Sequence, residues 1–450
     1  MAPILGLVLF LLVKMVTQMV LIGHIQVCRN VRSCSSGSWL RVLEMKLEVI
    51  DRLKNKIDME FDRNSKQIPA DYASLTRMPV SRYTSPAFYE LEQQFLWKRS
   101  WLLVGGVNEI PSRGDYLVWR KLGVPVIVVR GQDDQVRAFY NVCRHRGGTL
   151  VDSDKGNARS FSCKFHGWNY SLDGDLRHVP DEHDFPCLDK AASGLVSLRC
   201  ELLGNLIFVN GDRNAVSLIE HLGPMVAELE DFELEKRHVY YRVPFEINCN
   251  WKVALDAFQE SYHAPYVHPQ TVSPAMDANG TYISLWPNGH SRMLTPYRHD
   301  RLIGTAYSAV GDDPRHELSR YANRSHAIFP NIVTTASEFQ FPFLQVWPKG
   351  LAKTQIEYVF TAYPEHADPD SAENVEMFEA FKIVAGEDML NMENIQLALE
   401  SGVIEHLQIG YQERKIQSMN EYLDDVIGWQ NIPVEMRAQR VIDGRFDAPD

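Results

Sequence analysis

Four residues constrain this 450-residue chain more than any other feature: the pairs Cys143-Arg144-His145 and Cys163-Lys164-Phe165-His166, together C-x-H-x17-C-x2-H. Each pair joins a thiol to an imidazole. Each also follows a short run with strand character, Ala138–Asn141 before the first and Ser160–Ser162 before the second. Two loops of a small β-rich module can thus present one sulfur and one nitrogen each to a shared centre. Structural zinc uses the same residue types but pairs like with like, as C-x2–4-C and H-x3–5-H. Mixed pairs suit a 2Fe–2S cluster instead, with two thiolates on one iron and two imidazoles on the other. Exchanging two anionic thiolates for imidazoles raises the reduction potential of such a cluster. Gly147, Gly148 and Gly167 leave the ligand loops free to fold tightly.

Such a cluster stores one electron and oxidises nothing organic, which directs attention to a second constellation between Asn250 and His268. His263 and His268 are five residues apart, about 140° out of register on an unbroken helix. Pro265 lies between them and can break or bend that helix, letting both rings reach one ion. Two histidines and a carboxylate on one face of Fe(II) leave positions open for O₂ and substrate. Glu260, three residues before His263, is expected on the same helical face. The third ligand must come from elsewhere, and chemistry alone leaves it open. Glu387-Asp388 is an acidic pair on a predicted helix, where such pairs usually form a solvated face.

The stretches Asn141-Val-Cys-Arg-His-Arg-Gly-Gly and Cys163-Lys-Phe-His-Gly-Trp-Asn-Tyr-Ser-Leu-Asp-Gly resemble the Rieske signature of bacterial ring-hydroxylating oxygenase α subunits. The resemblance extends over roughly residues 80–430. Lys164 departs from the proline common in relatives, and Ala257 stands where many carry Asn. The resemblance implies Cys143, His145, Cys163 and His166 as cluster ligands. It implies His263, His268 and Asp388 as ligands of a mononuclear Fe(II), because Asp388 is followed eight residues on by Gln396 as in the family's late acidic motif. Glu387 and Glu393 are the fallbacks for that ligand. Glu260 is implied as a bridge running from His166 of the partner subunit to His263. Glu rather than Asp at 260, with its short spacing from Lys252, looks more like the single-subunit members.

The implied fold is α+β: an all-β Rieske module followed by a helix-grip-type catalytic domain with an antiparallel sheet. The implied activity is O₂-dependent hydroxylation of an aromatic or hydrophobic small molecule. Electrons would come from NAD(P)H through a separate reductase and, in some systems, a ferredoxin, since this chain has no nucleotide-binding glycine motif. The implied assembly is a homotrimer, with or without a β subunit. Two alternatives stand beside it: a monooxygenase of quaternary amines or other non-aromatic substrates, and an electron-transfer Rieske protein without oxygenase activity.

Organisation follows from texture. Residues 1–45 form an N-terminal hydrophobic extension, 46–99 a helical lead-in, 100–215 the Rieske module and 216–450 the catalytic domain. The apolar run of residues 2–22 is either a membrane anchor or the product of a start set too early, Met45 being the alternative start. Helices are expected over Val216–Phe232, Trp251–Tyr262 behind an Asn250 N-cap, Ala372–Gly402 and Gln412–Val426. Strands are expected over Val239–Ile247, Ala327–Thr334, Phe339–Val346 and Thr354–Tyr363. Trp286, Phe329, Phe339, Phe341, Phe343 and Trp347 either line an apolar pocket or fill the core. A net charge of −12 without a basic patch argues against nucleic acid as a partner. Seven cysteines, an odd number, argue against a disulfide framework and for a reducing, cytoplasmic compartment.

Overall fold

The computed structural model describes residues 36–63, 68–69, 72, 77–298, 317–336, 340–442 and 444–448. The apolar run of residues 2–22 and the aromatic Phe339 lie outside these. No helix among the described residues is long and apolar enough to cross a membrane. Two compact units are present. One comprises Glu90–Leu222 and Glu233–Val239, and the other holds Gly223–Phe232 and the remaining described residues.

The first unit is all-β apart from short helical turns. Its main sheet joins β1 (Leu102–Gly106), β2 (Asp115–Trp119), β3 (Val126–Arg130), β4 (Val136–Tyr140) and β5 (Lys155–Asn157). A separate three-stranded sheet holds β6 (Phe161–Ser162), β7 (Asn169–Tyr170) and β8 (Leu176–His178), and β9 (Ser197–Leu203) and β10 (Leu206–Asn210) complete the main one. The order of the larger sheet is β1-β10-β9-β4-β3-β2-β5. β3 is a run of β-branched residues whose first four members are all buried, as a central strand requires. Cys143 and Cys163 belong to the same apolar cluster as Ile127, Phe139, Phe161, Trp168 and Tyr170. The candidate cluster ligands are therefore rooted in the core of this unit rather than hung on its surface.

The second unit is built on a seven-stranded sheet among the described residues. Its strands are β11 (His238–Ile247), β12 (Tyr282–Leu285), β13 (Ser291–Pro296), β14 (Ala322–Ile328), β15 (Ile332–Ala336), β16 (Phe343–Gly350) and β17 (Lys353–Ala362). They are arranged β11-β17-β16-β15-β14-β13-β12, with antiparallel pairing from β12 through β17. The helix α1 (Ser36–Arg63) buries Ile50, Leu53 and Ile57 against Tyr282 and Leu294 of β12 and β13. Their spacing of three and four residues is that of one helical face. Two further helices matter for the site: α2 (Trp251–Ala257), which packs on β16 and β17, and a long C-terminal helix, Ala372–Glu400, which packs on α2.

Four sequence expectations are corrected here. The segment Ala327–Thr334, expected as one strand, is the end of β14 and the start of β15, which pair antiparallel across a turn at residues 329–331. The segment Val216–Phe232 is two short helices, Leu218–Leu222 and Met225–Glu230, because Gly223 adopts a left-handed φ of 53° and Pro224 follows. β12, β13 and β9 were not anticipated, since their sequences lack clean alternation: β12 and β13 are buried on both faces, while β9 is largely half-buried. Finally, α2 stops at Ala257 and does not reach Tyr262.

The Asn250 cap is present and does more than cap. Its Oδ1 accepts from Lys252 N at 3.0 Å, its Nδ2 donates to Leu351 O at 2.9 Å, and its own N–H donates to Gln396 Oε1 at 2.9 Å. One fully buried side chain thereby ties α2 to the β16–β17 turn, and its backbone to the C-terminal helix. Replacing it with alanine removes a cap and leaves a buried carbonyl unsatisfied. The expected loss is about 2–3 kcal/mol of unfolding free energy, measured by urea titration with an unchanged m-value.

Candidate metal centres

The two cysteine–histidine loops repeat one local design. In each, the glycine four residues after the cysteine donates its N–H to that cysteine's carbonyl: Gly147 to Cys143 at 3.0 Å, Gly167 to Cys163 at 2.9 Å. Both glycines hold positive φ, 79° and 73°, which turns the chain back before it clashes. Each cysteine N–H closes its loop by donating to the carbonyl five residues on, Gly148 at 2.8 Å and Trp168 at 2.9 Å. A Cβ on Gly148 would stand 3.1 Å from Cys163 Sγ, so the two loops meet across bare backbone.

Both thiols are buried, and neither is in a disulfide. Burial, joined by the neighbouring Cys163 thiol, holds Cys143 above its ordinary pKa, so a cation is needed to keep it as thiolate there. Tyr170 hydroxyl lies 3.3 Å from Cys143 Sγ and accepts the Arg144 N–H at 3.0 Å. The rings of His145 and His166 are 4.6 Å apart, and His145 stacks on Trp168 at 4.9 Å. Burial and the adjacent His166 lower the pKa of His145 and keep it neutral, the form that binds metal. Its Nδ1 is buried with no hydrogen-bond partner among the described residues, as expected of a nitrogen reserved for a ligand. Phe165, 61 % exposed, lies against His166 at this edge.

Among the described residues, one group of three metal-ligating side chains has all its ligand atoms within 4.8 Å of one another, and it is His263, His268 and Asp388. The cysteine–histidine quartet is not gathered that tightly, whereas tetrahedral zinc at 2.0–2.3 Å from each ligand would require it. The quartet's spread suits two metals better than one. Paired thiols, a paired set of imidazoles and an unpartnered Nδ1 all fit a 2Fe–2S group.

The second site is assembled from three segments of the second unit. After α2 ends, a loop carries Glu260, and a four-residue helix, α3 (Ala264–Val267), follows. His263 is its N-cap and His268 its C-cap. Pro265 therefore opens a new helix rather than bending an old one, and the two rings face each other at 5.2 Å. Glu260 is not on a shared helical face with His263. It folds back so that Oε2 accepts the His263 N–H at 3.0 Å and Oε1 meets His263 Nδ1.

The third segment is the long C-terminal helix, α4 (Ala372–Glu400). Its Asp388 Oδ1 lies 2.9 Å from His268 Nε2 and 3.5 Å from His263 Nε2. Glu387, considered from sequence as a fallback ligand, has a different place: its Oε2 is 2.7 Å from His268 Nδ1 and accepts the Thr271 hydroxyl at 2.6 Å. Glu393, the other fallback, lies away from the triad and accepts both the backbone and side-chain amides of Asn248. Each histidine thus turns Nε2 toward Asp388 and Nδ1 toward its own carboxylate, the arrangement in which an outer carboxylate fixes a metal-binding imidazole. Burial opposes charging of both rings, but Glu260, Glu387 and Asp388 outweigh it and raise both pKa values. The donor set, two imidazoles and one carboxylate around one point, fits a single divalent iron.

This triad lines a cavity of about 650 Å³. Phe258, Val272, Met293, Leu344, Tyr358 and Phe381 supply much of its apolar wall. The aromatic residues singled out from sequence are elsewhere: Trp286, Phe329, Phe341, Phe343 and Trp347 are at most 2 % exposed and fill the core. Phe341 packs at a tilt against Phe232, with ring centroids 4.5 Å apart.

Comparison with known proteins bears on both centres. Residues 100–189 match the model of the Rieske [2Fe-2S] domain, and residues 234–429 that of the ring hydroxylating alpha subunit (catalytic domain). The chain is 38 % identical over 213 residues to biphenyl 2,3-dioxygenase subunit alpha of Rhodococcus jostii, covering 45 % of this chain and 46 % of that one. It is 31 % identical over 202 residues to the glycine betaine monooxygenase oxygenase subunit of Pseudomonas aeruginosa, covering 44 % and 46 %. It therefore spans about half the length of these curated relatives. Its fold is like that of the quaternary ammonium Rieske monooxygenase CntA in complex with an inhibitor, with a TM-score of 0.68 at 22 % identity over 80 % of this chain and 99 % of that one. With a Rieske domain and a ring-hydroxylating catalytic domain in succession, the chain belongs to the Rieske ring-hydroxylating oxygenase α-subunit family.

Proposed function

We propose that this chain is the oxygenase component of a multicomponent Rieske non-haem iron oxygenase that hydroxylates an aromatic or hydrophobic small molecule. The observation that carries this is the meeting of His263, His268 and Asp388 in the wall of a largely apolar cavity. Cys143, His145, Cys163 and His166 would hold the 2Fe–2S cluster, and the triad would hold Fe(II). When bound, the cluster would deliver single electrons and the iron would supply O₂ reduction beside the substrate. The protein's own contribution is positioning. Glu260 and Glu387 take the Nδ1 atoms, leaving the Nε2 lone pairs for the ion, and Thr271 holds Glu387 in that pose. The apolar wall excludes water from the reacting carbon.

Electrons would come from NAD(P)H through a separate reductase, with a ferredoxin in some systems. Family membership supports a homotrimer in which Glu260 links His166 of the partner subunit to His263. The hydrogen bond between Glu260 and His263 Nδ1 supports the half of that link within one chain. A monooxygenase of quaternary amines is the second reading, favoured by the 31 % identity to the glycine betaine enzyme. An electron-transfer protein without oxygenase activity would have no use for the gathered triad.

A single-turnover experiment decides among these. Anaerobically reduced protein is mixed with O₂ and, one at a time, aromatic acids, polycyclic hydrocarbons or trimethylammonium compounds, while cluster absorbance and products are followed. Faster cluster oxidation with a hydroxylated aromatic product supports the first reading, and an oxidised amine the second. An iron site that stays empty and will not fill sinks both.

Three variants probe the assignments. Asp388→Ala is expected to lose the mononuclear iron and keep the cluster's iron and sulfide, by metal analysis. Glu387→Gln should weaken iron binding about 10- to 100-fold by removing the anchor of His268, read by competition with a chelator. Tyr170→Phe removes a hydrogen bond to Cys143 sulfur and should lower the cluster's midpoint potential by on the order of tens of mV, read by redox titration.

A further inference from the structure

Residues of α4 from Glu376 to Asp388 line the cavity. Glu376, Ala380, Val384 and Asp388 recur every four residues and all line it. Between the first and last of these the helix rises about 18 Å. Glu376 and Asp388 are thus the first and last lining residues of the helix, well separated along its axis, with Met377, Phe381 and Ile383 lining the cavity between them in sequence.

Two carboxylates stand on this distal part of the wall, and they differ. Glu379 is exposed and paired with Lys382 Nζ at 2.6 Å. Glu376 has one carboxylate oxygen, Oε1, shut off from solvent with no hydrogen-bond partner among the described residues. Native structures seldom leave a buried carboxylate oxygen unsatisfied, because the lost hydration is not replaced. The terminal torsion of a glutamate is soft, so either oxygen can turn toward the cavity that the side chain already lines.

We propose that Glu376 recognises the end of the substrate remote from the reacting carbon. The substrate is then an elongated, largely apolar molecule with a hydrogen-bond-donating group at its far end, best a primary ammonium. A small trimethylammonium compound meets neither requirement, since it lacks an N–H and cannot span the distance from the triad. The inference rests on the triad being the reaction centre, and it narrows the substrate class for that same site.

The test uses the iron- and cluster-loaded protein under anaerobic conditions. Calorimetry measures binding of ω-phenylalkylamines of graded chain length, each beside the alkylbenzene of equal length. At the length that spans the cavity, the amine is expected to bind about tenfold or more tightly than its hydrocarbon. Glu376→Leu is expected to erase that difference. Equal affinities for amine and hydrocarbon at every length in the wild-type protein overturn the proposal without recourse to any variant, and so does a preference that survives Glu376→Leu. Turnover is read separately from binding. An amine preference without O₂-dependent cluster oxidation defeats the oxygenase assignment and keeps the distal recognition. Product formation with no amine preference does the reverse.

Discussion

A carboxylate buried between two imidazole nitrogens is the constraint around which the catalytic unit is arranged. Asp388 is 7 % exposed, and its Oδ1 faces the Nε2 atoms of both His268 and His263. Such a set is unfavourable in a low-dielectric interior unless a positive charge sits within it, either protons on the rings or a metal ion. The raised pKa values of both histidines express the first solution, and iron is the second. The surroundings are consistent with the second. Glu260 and Glu387 already occupy the Nδ1 atoms, so only the Nε2 atoms point at the shared centre. Asn250 and Gln396 then lock α2 to α4, the helices that precede α3 and carry Asp388.

The two centres reach their geometry by opposite routes. Around the cysteine–histidine pairs, nearly everything is local. A glycine at a left-handed φ and a hydrogen bond across four residues shape each loop, and the same turn is used twice. The mononuclear site joins residues more than a hundred positions apart, and the sheet with its packed helices must form before they meet. The cavity inherits this dependence, since its wall combines the strands β13–β17 with one face of α4.

This difference in locality governs what could be read in advance. The candidate cluster ligands could be picked out by spacing, because a C-x-H or C-x2-H loop places its own two side chains close together whatever lies around it. His263 and His268 were legible as a pair, but their local structure was not: the periodicity through Tyr262 concealed a break at Ala257, and Glu260 capping His263 was invisible in composition. From chemistry alone Asp388 was indistinguishable from a solvated acid, and resemblance to the family singled it out. A signal was nonetheless present, for Ala385, Asp388, Met392, Gln396 and Leu399 follow the spacing of a buried helical stripe. An acid on such a stripe has to have a partner. Phe341 and Phe343 had equal claims on core and pocket, and packing against Phe232 assigned Phe341 to the core.

By itself, then, the sequence determined the iron–sulfur module and the α+β class and singled out the two histidines as candidates, because those readings depend on patterns within a few residues. Only the tertiary structure decided that Glu387 orients His268, that Glu260 holds His263, and that Glu376 Oε1 has no hydrogen-bond partner among the described residues beside an apolar cavity. The reason is physical. Whether a carboxylate binds metal, fixes an imidazole or waits for a ligand is set by which groups lie within about 3 Å of its oxygens, and chain neighbours such as Glu387 and Asp388 point those oxygens at different partners.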